Sequence, residues 1–277
     1  VMPPLCEALS KREYSTLTPV QESVLDPDLL DSDLLVSSQT GSGKTVAFGL
    51  AMAPTILGKK EVFELNGPPV AIVIAPTREL ALQVKTELSW LYKLTKASIV
   101  SCVGGMDMRT EQRALKGNAH IIVGTPGRLK DHIERGSLNL KHIKGLVLDE
   151  ADEMLDMGFR DELEFILNAT PKKRRTLMFS ATVPKTIITL AKRYQRDAIR
   201  LSTVSDKEQH RDIEYRAYTV GAKDRENAII NVLRFYDAKT AIVFCATRAT
   251  VNRMTSRFNN RGFSVVALSG ELSQGHR

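Results

Sequence analysis

With 277 residues, 43% hydrophobic and 26% charged, the chain has ordinary globular values and room for one full α/β domain plus part of a second. No apolar run approaches the ~20 residues that span a bilayer. Cys6, Cys102 and Cys245 are too widely spaced for a disulfide framework or a metal knuckle, which points to a reduced, cytoplasmic compartment. The net charge of +7 is uneven: residues 1–208 carry 28 Lys+Arg against 26 Asp+Glu, whereas residues 209–277 carry 11 against 6. A basic surplus suits a phosphate backbone, although solvated helix faces give the same count.

In chain order, the first candidate is Thr18-Pro19-Val20-Gln21. The Gln21 amide offers a donor and an acceptor side by side, a match for the amino group and ring nitrogen of adenine. In isolation an ordinary first-turn helix residue is the simpler account. An apolar strand over 34–36 then leads into Ser38-Gln39-Thr40-Gly41-Ser42-Gly43-Lys44-Thr45, and a helical pattern over 45–57 follows. Strand, glycine-bearing loop and helix in that order are the setting of a phosphate-binding loop. Its backbone N–H groups turn toward the β- and γ-phosphates, and the helix N-terminus adds partial positive charge. Lys44 supplies a point charge there and the Thr45 hydroxyl a Mg²⁺ ligand. Ser38 stands where Gly or Ala is usual, one small residue for another. A glycine-rich turn without a ligand competes for the loop alone, and poorly for the loop paired with the carboxylates further along.

A surface loop over 58–69 precedes further β-branched runs at 71–75, 98–103, 120–123, 146–148, 176–179 and 199–202, with helical patterns between them. That alternation predicts a parallel sheet with helices on both faces, whose post-strand loops share one edge. On this edge fall Pro76-Thr77-Arg78-Glu79, Gly104-Gly105, Thr125-Pro126-Gly127-Arg128, Asp149-Glu150 and Ser180-Ala181-Thr182. Asp149, delivered by the strand 146–148, holds Mg²⁺ directly or through water, and Glu150 polarises the attacking water. The plain alternative is a solvated acidic turn opening a helix over 153–167. Arg78 and Arg128, with Thr77, Thr125 and glycine backbone beside them, form a track for a sugar–phosphate chain; individually each is also an ordinary surface arginine. Ser180 and Thr182 either hydrogen-bond Asp152 and report nucleotide state, or cap the helix after Pro184.

Polar residues 203–212 break the periodicity and read as a linker between a first domain, 1–202, and a second unit, 213–277. The second unit reads as strand 213–220, helix 223–236, strand 240–245, helix 247–260 and strand 264–268. It contains no second phosphate loop.

Together these motifs resemble those of the DEAD-box ATP-dependent RNA helicases of superfamily 2, along essentially the whole chain. Thr18-Pro19-Val20-Gln21 is similar to that family's adenine motif, and Ser38–Thr45 to its phosphate loop. Pro76-Thr77-Arg78, Gly104-Gly105 and Thr125-Pro126-Gly127-Arg128 resemble its RNA-backbone motifs. Asp149-Glu150-Ala151-Asp152 resembles its signature and Ser180-Ala181-Thr182 its coupling motif. Ile242-Val243-Phe244-Cys245 and the segment from Leu268 to Arg277 resemble the opening motifs of its second domain. The resemblance implies two RecA-like domains closing around ATP and Mg²⁺, with RNA read through backbone and 2′-hydroxyl. Catalysis would fall to Lys44, Asp149 and Glu150, and coupling to Asp152, Ser180 and Thr182. It also implies that the family's arginine finger, typically worth about 10³–10⁵ in rate, lies beyond Arg277. The upstream aromatic that stacks on adenine would lie before Val1. The chain is therefore expected to be a truncated piece that binds ATP weakly and hydrolyses it barely. Further expectations are a bacterial, cytoplasmic, monomeric protein with ribonucleoprotein partners and no membrane contact. An ATP-switched RNA clamp acting as an assembly platform is the alternative function.

Overall fold

In the computed structural model, which describes residues 1–65, 67–203 and 214–269, seven apolar runs form one parallel sheet. The chain divides into two compact units, residues 1–208 and 209–277. The first begins with helices α1 (Pro3–Lys11) and α2 (Pro19–Ser23), then alternates strand and helix: β1 (Leu34–Ser37), α3 (Lys44–Leu57), β2 (Ala71–Ile74), α4 (Arg78–Leu91). It continues through β3 (Ile99–Cys102), α5 (Met108–Lys116), β4 (Ile121–Gly124), α6 (Pro126–Glu134) and β5 (Gly145–Leu148). It closes with α7 (Ala151–Asp156), α8 (Arg160–Ala169), β6 (Arg175–Ser180), α9 (Lys185–Tyr194) and β7 (Ile199–Ser202). This is the expected RecA-like α/β fold.

Strands β1, β2, β4, β5 and β6 are buried at every position, which is why most of them read as apolar runs rather than as alternation, whereas the edge strand β7 is largely exposed and carries Arg200. Val36, Val73, Val123, Val147 and Phe179 point into a core shared with α1, α3 and α4. Their neighbours Leu35, Ile72, Ile122, Leu146 and Met178 point the other way, against α6, α8 and α9. Strand order is β3-β4-β2-β5-β6-β1-β7, all parallel. The pairing is level: Ser37 lies opposite Ser180, and Ile74 opposite both Leu148 and Gly124. The post-strand loops therefore leave the sheet at one height and in a fixed lateral sequence.

The structure departs from expectation in two places. The single helix expected over 153–167 is two, α7 and α8, because the chain turns at Gly158 with φ +88°, a left-handed conformation that glycine adopts without strain. In the second unit, helices α10 (Arg225–Phe235) and α11 (Arg248–Asn260) form, but no strand ladder does among the described residues. Val243, Cys245 and Val265 pack on the small core of Ile230, Met254 and Phe258. The alternate residues Ile242, Phe244 and Val266 are more than four-fifths exposed. The period-2 pattern is thus real, but among the described residues of the second unit no strand ladder pairs these segments. Apart from Thr203, the linker expected over 203–212 lies outside the described residues, as do Ile213 and the segment from 270 onward. No described helix is long and apolar enough to cross a membrane.

Candidate nucleotide and nucleic-acid site

The strand order splits the loop-bearing edge in two. Loops after β5, β6 and β1 are neighbours and carry the carboxylates, the Ser180–Thr182 turn and the phosphate loop. Loops after β3, β4 and β2 are neighbours and carry the glycine pair, the Thr125–Arg128 turn and Arg78.

In the first half, α3 begins where β1 has delivered the loop. Gly43 caps the helix with φ +87°, and a Cβ there would stand 2.5 Å from Gln21 Nε2. The left-handed backbone favours glycine here, and the missing side chain leaves room for the Gln21 amide against the loop. Gln21 is buried: its amide nitrogen donates to Gly43 O at 3.2 Å and its oxygen accepts from Thr18 N at 3.0 Å. The glutamine expected to read adenine is therefore also bonded to the phosphate loop. Within the loop, Ser42 Oγ donates to Gln39 O at 2.8 Å, and Ser38 N donates to Ser180 O at 3.2 Å.

Lys44 and Glu150, 106 residues apart, meet as a buried ion pair, Nζ to Oε1 at 2.7 Å. The Lys44 ammonium also lies 3.5 Å from Ser38 O, and Thr40 Oγ1 lies 3.5 Å from the same Glu150 oxygen. Glu150 holds a left-handed backbone, φ 49°, at the start of α7; such strain in a non-glycine residue persists only where its surroundings impose it. Asp149 is 2% exposed, and burial pushes its carboxyl up to about 7, with Lys44 pulling the other way and Glu150 adding to the rise. Its Oδ1 is buried with no hydrogen-bond partner. An orphaned carboxylate oxygen between a lysine and a phosphate-type loop is what a hard cation requires, so Asp149, with Thr45 one residue beyond Lys44, fits Mg²⁺.

Behind this pair, Ser180 and Thr182 hydrogen-bond Asp152. Asp152 Oδ2 accepts from Thr182 N at 2.8 Å and from Thr182 Oγ1 at 2.7 Å. Ser180 Oγ accepts from Asp152 N at 3.3 Å and donates to Thr182 O at 2.6 Å. Burial opposes ionisation of Asp152, but the hydrogen bonds it receives, led by Thr182, hold its carboxyl below the usual range. Neither hydroxyl caps α9, whose N-cap is Pro184 without a side-chain bond.

In the second half, Arg78 and Arg128 converge on one exposed loop. Arg128 Nη2 donates to Met106 O at 2.8 Å, and Arg78 Nη2 lies 3.7 Å from Met106 Sδ. A Cβ on Gly105 would come within 2.9 Å of Arg78 Nη1. Thr77 serves locally, its hydroxyl accepting Leu80 N at 3.2 Å as the cap of α4, while Pro76 precedes that cap. Thr125 is the N-cap of α6 without a side-chain bond; Pro126 and Gly127 form its first turn. Met106, Glu111 and His132, which bind this loop cluster together, were not singled out from the sequence, since no local pattern marks them.

The model of the DEAD/DEAH box helicase family matches residues 18–190, a span that holds every motif of the first unit placed above. The chain belongs to this family. It is 36% identical over 271 residues to "DEAD-box ATP-dependent RNA helicase CshA" of Geobacillus kaustophilus, covering 98% of this chain and 57% of that protein. The CshA of Bacillus subtilis is 36% identical over 273 residues, 99% of this chain and 54% of the relative. The chain thus spans about half the length of the curated relatives it matches. A solved DEAD box protein from the hyperthermophile Methanococcus jannaschii superposes with a TM-score of 0.68 at 35% identity, over all of this chain and 73% of that one.

Proposed function

We propose that the chain is the ATP-binding core of an RNA-dependent ATPase that separates short duplexes or remodels ribonucleoprotein, acting as a cytoplasmic monomer. The observation that supports it most is the lateral division of one sheet edge: Lys44, Asp149 and Glu150 occupy one half, and Arg78 and Arg128 the other. Family membership argues for ATP and RNA as the two ligands.

The Lys44–Glu150 pair suggests an interlock. A buried ammonium needs an anionic partner, and here the candidate water-activating carboxylate supplies it. An arriving phosphate takes over Lys44, and Glu150 is then released to accept a proton from water. Thr45 and Asp149 would hold Mg²⁺, which neutralises charge on the phosphate oxygens when bound. Asp152, locked to Thr182, would pass the change at the DEAD segment to the turn after β6. An intact Glu150 favours hydrolysis over a pure clamp, which has no use for a general base.

The test is binding of a fluorescent ATP analogue with Mg²⁺, and of a labelled single-stranded RNA, to wild type and to Lys44→Ala, Glu150→Gln and Arg78→Ala/Arg128→Ala variants. Lys44→Ala should lose nucleotide binding, the double arginine variant should lose RNA, and Glu150→Gln should keep both. RNA affinity unchanged in the double arginine variant, or nucleotide affinity unchanged in Lys44→Ala, would refute the assignment.

A further inference from the structure

Helix α5 exposes almost every polar side chain, yet Glu111 on its inner side is 4% exposed. A buried carboxylate is costly unless every oxygen is used, and here each is. Oε1 accepts the backbone N–H of Val103 at 2.9 Å, the residue before Gly104-Gly105. Oε2 lies 2.8 Å from His132 Nε2 and 3.5 Å from Arg128 Nε. His132, wholly buried, is fixed in turn by Ser137 Oγ at 2.8 Å from its Nδ1. One carboxylate therefore joins the exit of β3 to the helix that carries Arg128. Arg128 completes a ring by donating to Met106 O on the same loop.

Cys102 also lies here, with ligand atoms of Cys102, Glu111 and His132 all within 4.8 Å of one another. Burial pushes the Cys102 thiol up to about 12, both carboxylate oxygens already have protein partners, and Arg128 brings a positive charge. The chemistry is that of a strut and not of a metal site.

We propose that Glu111 is a positioning residue for the nucleic-acid strand, presetting the Gly104-Gly105 backbone and the Arg128 guanidinium in the arrangement that meets consecutive phosphates. This rests on the RNA path proposed above. Preorganisation is what the geometry offers: without Glu111 the arginine and the glycine loop must be ordered by the ligand itself, at the expense of affinity.

The experiment measures affinity for a short fluorescein-labelled oligouridylate, affinity for a fluorescent ATP analogue, and thermal unfolding by Trp90 fluorescence, on the whole chain. Variants are Glu111→Ala, Glu111→Gln and Arg128→Ala. In Glu111→Gln the amide oxygen still accepts Val103 N–H, and the amide nitrogen donates to His132 Nε2 once the ring moves its proton to Nδ1 and donates to Ser137 Oγ; the Arg128 contact is lost. Expected are about a tenfold loss of RNA affinity in Glu111→Ala, about threefold in Glu111→Gln, and nucleotide affinity within about twofold in both. RNA affinity within about twofold of wild type in Glu111→Ala, with Arg128→Ala strongly impaired, overturns the proposal and leaves the RNA path standing. Parallel loss of both ligands and of thermal stability in both Glu111 variants also overturns it, by showing a merely structural role. No effect of Arg128→Ala removes the RNA path itself, and the proposal with it.

Discussion

Asp149→Asn should make the ligand-free protein more stable at slightly alkaline pH while removing its Mg²⁺-dependent nucleotide binding. The folded protein holds the Asp149 proton until about pH 7, against 3.8 for an unhindered carboxyl. Between these values the folded state binds more proton than the unfolded chain, so stability falls as pH rises through the window and the loss is complete above about 7. At about 1.4 kcal/mol per pH unit the gap sets a ceiling of about 4 kcal/mol. Local relaxation around the buried charge brings the expectation to about 2–4 kcal/mol. An asparagine carries no such charge. The difference between variant and wild type should be small near pH 4 and grow to its full size by about pH 8. Urea titration followed by Trp90, the sole tryptophan and part of α4, reads the first unit alone. A wild type whose stability relative to Asp149→Asn does not decline between about pH 4 and pH 8 would refute the account of Asp149 as a buried carboxylate whose desolvation outweighs its favourable contacts.

Three further outcomes follow from single contacts. Glu13 is exposed at φ 59°, a left-handed backbone that costs an L side chain about 1 kcal/mol, so Glu13→Gly should raise the melting temperature by about 2–4 °C. Gly124→Ala would set a Cβ 2.5 Å from Cys102 O and 2.8 Å from Leu129 Cγ, where strand backbone cannot yield; denaturant unfolding should show a loss of about 3 kcal/mol or more. Thr182→Val removes the hydroxyl at 2.7 Å from Asp152. Because the Asp152 carboxyl is held low in the folded state, its contribution is present above about pH 4 and fades in acid. The variant should be less stable by about 1 kcal/mol at neutral pH and converge on wild type in acid; a difference independent of pH would count against the Asp152–Thr182 lock.

The central strands of the first unit are legible because a strand covered on both faces is apolar at nearly every position, and short β-branched runs such as Ala71–Ile74 carry that signature without help from the rest of the chain. The phosphate loop was legible for a similar reason: its function is built from consecutive residues, so spacing alone displays it. The second unit shows the limit of that logic. Alternation over 240–245 and 264–268 says which residues face a core, whereas a ladder also needs a neighbour at hydrogen-bonding distance, which no local pattern encodes.

The same limit governs the site. Chain order puts the arginine motifs and the carboxylates on one edge but does not say which loops touch, because lateral neighbours are set by the order β3-β4-β2-β5-β6-β1-β7 and not by sequence. That order separates Arg78 and Arg128 from Lys44 and Glu150, and brings the two arginines together at Met106. Glu111 is hard to see on this account: in a mostly polar helix one acidic residue looks solvated, and only the fold shows it beside buried Leu115 with Val103 N–H and His132 as partners. β2, between β4 and β5, joins the two halves: Asp149 N donates to Ile74 O at 2.9 Å, and Arg78 begins the helix after that same strand. A shift at the carboxylates therefore has a backbone route to both arginines: through Ile74 to Arg78 on the helix after β2, and onward through the Ala75 N–H to Gly124 O bond, 3.0 Å, to the turn that carries Arg128.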